Sequence, residues 1–197
     1  MNFLINGGFL GAGKTSLMLQ LVPHMRDRLG AGKIVILENE IGQVGIDDRV
    51  LAGAGYSVRG MTAGCVCCTL AGELILTVKA LGKDLAPDWI IMEATGVAFP
   101  YNIKENIEGA LGYSCKIVCL TDAQRWKRLF RAMDHLFRYQ LMEADVVLVN
   151  KIDVADQESI DKCIADVTEL NPTAVVVPTC ANEAIPIELI DRIMSED

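Results

Sequence analysis

The 197-residue sequence predicts an α/β domain, a mainly parallel sheet with helices on both faces and therefore three layers deep. Three observations carry that expectation. Short β-rich apolar runs alternate along the chain with longer segments in which apolar positions recur every three or four residues. The runs are strand-sized, as expected of a sheet covered on both sides. Gly30, Gly32, Pro87 and Pro172 fall where the longer segments should stop.

Taken in order, residues 2–5 form the first run and pass within a few residues into a glycine-rich stretch. A helix follows over residues 14–29, closed by Gly30 and Gly32, and the second run covers 33–37. An acidic segment and a Gly-rich, Cys-bearing stretch precede a helix over 70–85, which Pro87 ends. The third run is 88–92 and the fourth 116–120, with a helix expected over 122–142. The fifth run, 145–149, is followed by a helix over 156–170 that Pro172 stops, and the sixth run is 174–177. A short helix over 187–195 closes the chain. With no repeat and no linker, the expectation is one domain over residues 1–197.

Composition excludes several classes. The chain is 51% hydrophobic and 22% charged, which is globular. Its net charge is −8, without a dense Lys/Arg run, so nucleic acid and anionic membrane surfaces are unexpected partners. The longest apolar stretches fall far short of the roughly 20 residues a membrane span needs. No signal peptide fits before the first strand, and the expected compartment is the cytoplasm. The seven cysteines then read as reduced thiols. Cys115, Cys119, Cys163 and Cys180 lie among apolar or helical residues and read as small buried hydrophobes, and His24 and His135 as surface or packing residues.

Ligands of such sheets bind beyond the carboxyl ends of the strands. After the first run, Gly8-Phe9-Leu10-Gly11-Ala12-Gly13-Lys14-Thr15 matches the phosphate-loop pattern between a strand and a helix. Gly8, Gly11, Ala12 and Gly13 let backbone N–H groups point at phosphates, and Ser16 continues the turn at the helix N-terminus. Lys14 is placed for the β and γ phosphates, and the Thr15 hydroxyl for Mg²⁺. The third run ends in Glu93-Ala94-Thr95-Gly96: Glu93 is a Mg²⁺ ligand, directly or through water, and Gly96 offers a backbone N–H near the γ-phosphate. Lys14, Glu93 and Gly96 are thus the catalytic candidates. After the fifth run comes Asn150-Lys151-Ile152-Asp153. A carboxylate at Asp153 can accept two hydrogen bonds from guanine that adenine cannot offer, so GTP and GDP are the expected nucleotides. Asn150 would bond base and loop, the Lys151 stem would cover the ring, and Cys180 and Ala181 lie where a backbone N–H could meet the guanine oxygen.

Gly64-Cys65-Val66-Cys67-Cys68-Thr69 is the most particular feature. Three thiolates this close suit Zn²⁺ or another soft-binding transition metal, and a helix N-terminus beside them also suits reversible disulfide chemistry. Glu40, after the second run, is the candidate fourth ligand.

Together GGFLGAGKTS, ENEIGQVGIDD, GCVCCTL, EATG and NKID, in this order, resemble the nucleotide-binding domain of the CobW/HypB/UreG family of metal-handling GTPases, the CobW branch most of all. The resemblance covers nearly the whole chain. It implies a P-loop NTPase fold, slow GTP hydrolysis and metallochaperone or metallocentre-assembly work with Zn²⁺ or Co²⁺, or less readily Ni²⁺. It also implies that Glu40 and the three clustered cysteines hold the metal, that Glu93 belongs to the family's Glu-x-x-Gly element, and that a homodimer can form. The His-rich tracts of nickel-handling relatives are absent, Gln43 stands where relatives often have Glu, and Ala63 where they often have Asn. Typical CobW-like proteins carry a second, C-terminal domain, so a minimal version serving one client, a metalloenzyme or corrinoid protein, is expected.

Overall fold

The computed structural model describes residues 1–30, 34–38, 57–60 and 69–195. Seven strands, β1 (Asn2–Gly8), β2 (Ile34–Glu38), β3 (Ser57–Gly60), β4 (Trp89–Glu93), β5 (Ser114–Asp122), β6 (Val146–Asn150) and β7 (Val175–Pro178), form one sheet. The order is β3-β2-β4-β1-β5-β6-β7, and every neighbouring pair is parallel. The described residues also form six helices: α1 (Lys14–Leu29), α2 (Thr69–Leu85), α3 (Pro100–Leu111), α4 (Trp126–Leu141), α5 (Gln157–Leu170) and α6 (Ile187–Met194).

The side-chain period of two sorts the strands onto two cores. Phe3, Ile5, Ile90, Met92, Ile117, Cys119, Val147 and Val149 face α2 to α5, against Val78, Ile107, Trp126 and Val167. Leu4, Ile36, Ile91, Val118, Leu120 and Leu148 face the other way, onto Leu17, Leu21 and Met25 of α1 and Ile190 and Ile193 of α6. The expected three-layer architecture is therefore present. Among the described residues no helix is long and apolar enough to cross a membrane.

Two elements were not expected. The edge strand β3 is only Ser-Val-Arg-Gly, too short and too weakly apolar to register as a run. The other, α3, carried readable signals: Pro100 at its first turn, Ile103, Ile107 and Leu111 at helical spacing, and a left-handed Gly112 just beyond. A boundary also moves. Asp122, expected to open a helix, ends β5, and α4 begins at Trp126. All strands being parallel, the segments after Gly8, Glu93, Asp122, Asn150 and Pro178 emerge at one edge of the sheet.

Candidate nucleotide site

The loop after β1 takes its shape from backbone that only glycine tolerates at two points. Gly8 has φ 131°, and a Cβ there would lie 2.3 Å from the Leu120 carbonyl oxygen. Gly13 has φ 109°, and its Cβ would lie 2.3 Å from the Asn150 side-chain nitrogen. Between them the Ala12 N–H donates to the Phe9 carbonyl at 3.1 Å, closing a turn. The buried Asn6 amide donates to the Lys14 carbonyl at 2.9 Å, fixing the start of α1 to β1. Among the described residues no side chain caps that helix, and no acidic residue occupies its first turn, which leaves its N-terminal field for an anion. Lys14 is 7% exposed, and its ammonium donates to the Gly8 and Phe9 carbonyls at 3.1 and 3.4 Å. Ser16, in the first turn of α1, is half-buried.

Beside this loop, β4 pairs with β1 so that Glu93 lies opposite Asn6. The Thr15 hydroxyl consequently donates to Glu93 Oε1 at 3.2 Å, across 78 residues of sequence. Two hard oxygen donors meeting here fit a Mg²⁺ site by chemistry. Gly96 presses on the phosphate loop so closely that a Cβ would stand 2.7 Å from the Leu10 nitrogen. Its carbonyl accepts from the Gln140 amide at 2.9 Å, and the Ala98 carbonyl accepts from the same nitrogen at 3.4 Å.

Asn150 ties the loops together. Its side-chain nitrogen donates to the Ala12 carbonyl at 2.7 Å and its oxygen accepts from the Ala181 N–H at 2.7 Å, both bonds buried. That N–H is therefore engaged by Asn150. Lys151 has φ 67°, in the left-handed region. Its ammonium reaches Asp122 Oδ2 at 2.7 Å. Asp153 is exposed, and Cys180 is half-buried.

Asp122 is the residue that reading the sequence missed. Its carboxylate, 2% exposed, also takes the Arg125 Nε at 2.7 Å and the Arg125 N–H at 3.0 Å, while Arg125 Nη2 donates to the Leu10 carbonyl at 2.9 Å. Burial alone would raise its pKa. The bonds from Lys151 and Arg125 more than offset that and hold it below the ordinary carboxylate value. One buried anion thus anchors both the phosphate loop and the Asn150–Asp153 segment. The signal was available, since Asp122 ends a strand at the ligand-binding edge.

Burial pushes the thiols of Cys115, Cys119 and Cys163 up to about 12, in keeping with their reading as packing residues. His24 and His135 are exposed. Glu40, Cys65, Cys67 and Cys68 lie outside the described residues. Among the described residues no group of three or more His, Cys, Asp or Glu side chains is arranged to hold a metal.

A family model described as "CobW/HypB/UreG, nucleotide-binding domain" matches residues 2–178, nearly the whole chain. The chain belongs to this family. Its relatives include the Escherichia coli zinc chaperone YeiR, 32% identical over 157 residues that cover 77% of this chain and 47% of the relative. The Pseudomonas aeruginosa zinc chaperone CobW is 28% identical, over 93% of this chain and 57% of the relative. A zinc-regulated GTPase metalloprotein activator 1 from Dictyostelium discoideum is 24% identical over 93% and 46%. This CobW/HypB/UreG domain thus spans about half the length of these curated relatives. Among solved structures, zinc-bound YjiA GTPase from E. coli superposes with TM-score 0.68 at 24% identity, over 98% of this chain and 61% of that one. HypB from Archaeoglobus fulgidus superposes with TM-score 0.65 at 20% identity, over 97% and 87%. The fold is that of the P-loop GTPases.

Proposed function

We propose that the chain binds and slowly hydrolyses GTP and works as a metallochaperone or metallocentre-assembly protein, taking Zn²⁺ or Co²⁺ at Cys65, Cys67, Cys68 and Glu40 in a nucleotide-dependent way. The observation that carries the nucleotide half is Asn150, which bonds the phosphate loop at Ala12 and the Ala181 segment at once. A base-reading segment and a phosphate-binding segment are thereby held at one fixed spacing. Asp153 would take the guanine N1–H and exocyclic amine, and Lys151, held by Asp122, would lay its stem along the ring. Lys14 would bind the β and γ phosphates, with the N–H groups of Gly11, Gly13 and Thr15 completing the cradle. Thr15 and Glu93 would hold Mg²⁺, which supplies positive charge to the phosphate oxygens during transfer. Gly96, pressed against Leu10, would sense the γ-phosphate through its N–H.

The metal half rests on the Cys-x-Cys-Cys motif of the sequence and on relatives named zinc chaperones. The relative named a metalloprotein activator supports a second reading, in which hydrolysis remodels a client metalloenzyme and the cysteines are structural or redox-active. The deciding experiment is competitive titration of Zn²⁺, Co²⁺ and Ni²⁺ into the reduced protein with GDP or with a non-hydrolysable GTP analogue and Mg²⁺. Tighter metal binding with the analogue, lost in Cys67→Ala, is the expected result. Metal binding indifferent to nucleotide would sink the chaperone reading and favour the activator.

A further inference from the structure

Helix α4 is built against its own local stability. Its first turn holds no acidic residue and instead presents Lys127 and Arg128, cations at the end of a helix whose field favours anions. Arg131 lies three and four residues beyond them, adding like-charge neighbours on one exposed face. Arg128 and Arg131 have no ion-pair partner among the described residues, and Lys127 makes no salt bridge there but interacts electrostatically with Asp156. Farther along the face, Arg138 is paired with Asp134 at 2.8 Å. Asp122 stands near this helix end, but its carboxylate is already shared by Arg125 and Lys151. A chain of net charge −8 thus gathers, at the start of one helix whose field opposes them, cations that have no ion-pair partner among the described residues. Rules broken locally in this way concentrate at functional or strained sites.

The buried face of the same helix reaches the nucleotide site twice. Phe137 packs on Phe9 of the phosphate loop, ring centroids 5.7 Å apart. Gln140, 1% exposed, donates to the Gly96 and Ala98 carbonyls, and its own oxygen is buried without a hydrogen-bond partner among the described residues. Between the cationic turn and these contacts, Met133 leaves helical geometry at φ −138° and ψ 40°. The helix is therefore two segments joined at Met133, one carrying the cations and the other touching the loops.

We propose that the Lys127–Arg128–Arg131 face docks an acidic segment of a partner protein, and that Gln140 passes docking on to the Glu93–Ala98 segment. Charge complementarity selects the occupant. The face from Lys127 to Arg131 spans only about 6 Å of helix axis at 1.5 Å per residue. A long nucleic-acid strand would overrun so short a face on a chain of net charge −8, whereas a short Asp/Glu-rich segment would not. The relay rests on the nucleotide site proposed above; the docking face does not.

The test measures a fluorescein-labelled oligoglutamate peptide, with an oligothymidylate of similar charge as competitor, against the parent protein and a Lys127→Glu/Arg128→Glu/Arg131→Glu variant. The peptide should bind the variant at least about tenfold more weakly. The variant's thermal midpoint should be no lower than the parent's, because glutamates suit a helix start. Equal peptide affinity for the two proteins, tighter binding of the oligothymidylate, or a lower midpoint would each overturn the docking face. For the relay, the peptide should shift the affinity for a non-hydrolysable GTP analogue relative to GDP in the parent but not in Gln140→Met, which is close in volume. An equal shift in both, or none in either, would overturn it. A parent that binds peptide but no GTP analogue would sink the nucleotide reading and the relay with it, and leave the docking face standing.

Discussion

Replacing Asp122 by Asn removes one negative charge and almost no volume from a buried carboxylate that holds Arg125 and Lys151, each at 2.7 Å. A hydrogen bond to a charged group contributes about 1.5–3 kcal/mol, and stripping one partner from a fully buried ion pair costs about 3–5 kcal/mol. The two cations here are 30% and 32% exposed, so water recovers part of that loss, and Asn keeps an acceptor for the Arg125 N–H. The expected destabilisation is about 2 kcal/mol, or a fall in Tm of about 4–8 °C for a chain of this size. The assay is thermal unfolding of parent and Asp122→Asn from pH 7 down to pH 3. Because the carboxyl pKa is lowered in the folded protein, its stabilisation is complete above the ordinary value and is lost as pH falls through the lowered one. The Tm gap should therefore be full at pH 7 and shrink below about pH 4. A gap under about 1 °C at pH 7, or one that stays constant down to pH 3, would refute the idea that this charge anchors both loops.

Asn150→Ala leaves the Ala12 carbonyl and the Ala181 N–H without their partner in a buried place, and should cost about 2–4 kcal/mol in urea unfolding while weakening GDP binding. Gly13→Ala forces a Cβ to 2.3 Å from the Asn150 nitrogen at φ 109°, so its penalty should be smaller in the Asn150→Ala background than in the parent; equal penalties in a double-mutant cycle would show that strain alone is at work. Cys115, Cys119 and Cys163, with pKa values pushed up to about 12, should resist iodoacetamide at neutral pH in the folded protein and react after unfolding in urea, as peptide mass mapping would show. Labelling of Cys119 at the same rate in both states would contradict its burial.

The sequence by itself determined the alternation of strands and helices, because apolar periodicity is a property of a short window of chain and each window reports its own face. It also located Lys14 and Thr15 at a helix start and Glu93 and Asn150 at strand ends, because glycine patterns and polar residues that terminate apolar runs are local signals as well. The edge strand β3 escaped because four residues with one valine carry no period, while α3 had the spacing, and only its small number of apolar positions hid it. What a window cannot report is which strand ends become neighbours. Strand order placed β1 between β4 and β5, and that arrangement brought Thr15 to Glu93 and Arg125 to Leu10, 78 and 115 residues apart. Asp122 read as the first residue of a helix until β5 carried it to the edge where the loops emerge, and Gln140, inside that expected helix, had no role until α4 turned it onto Gly96. Those roles belong to buried hydrogen bonds between distant segments, and only the packed sheet decides which buried donors and acceptors face one another.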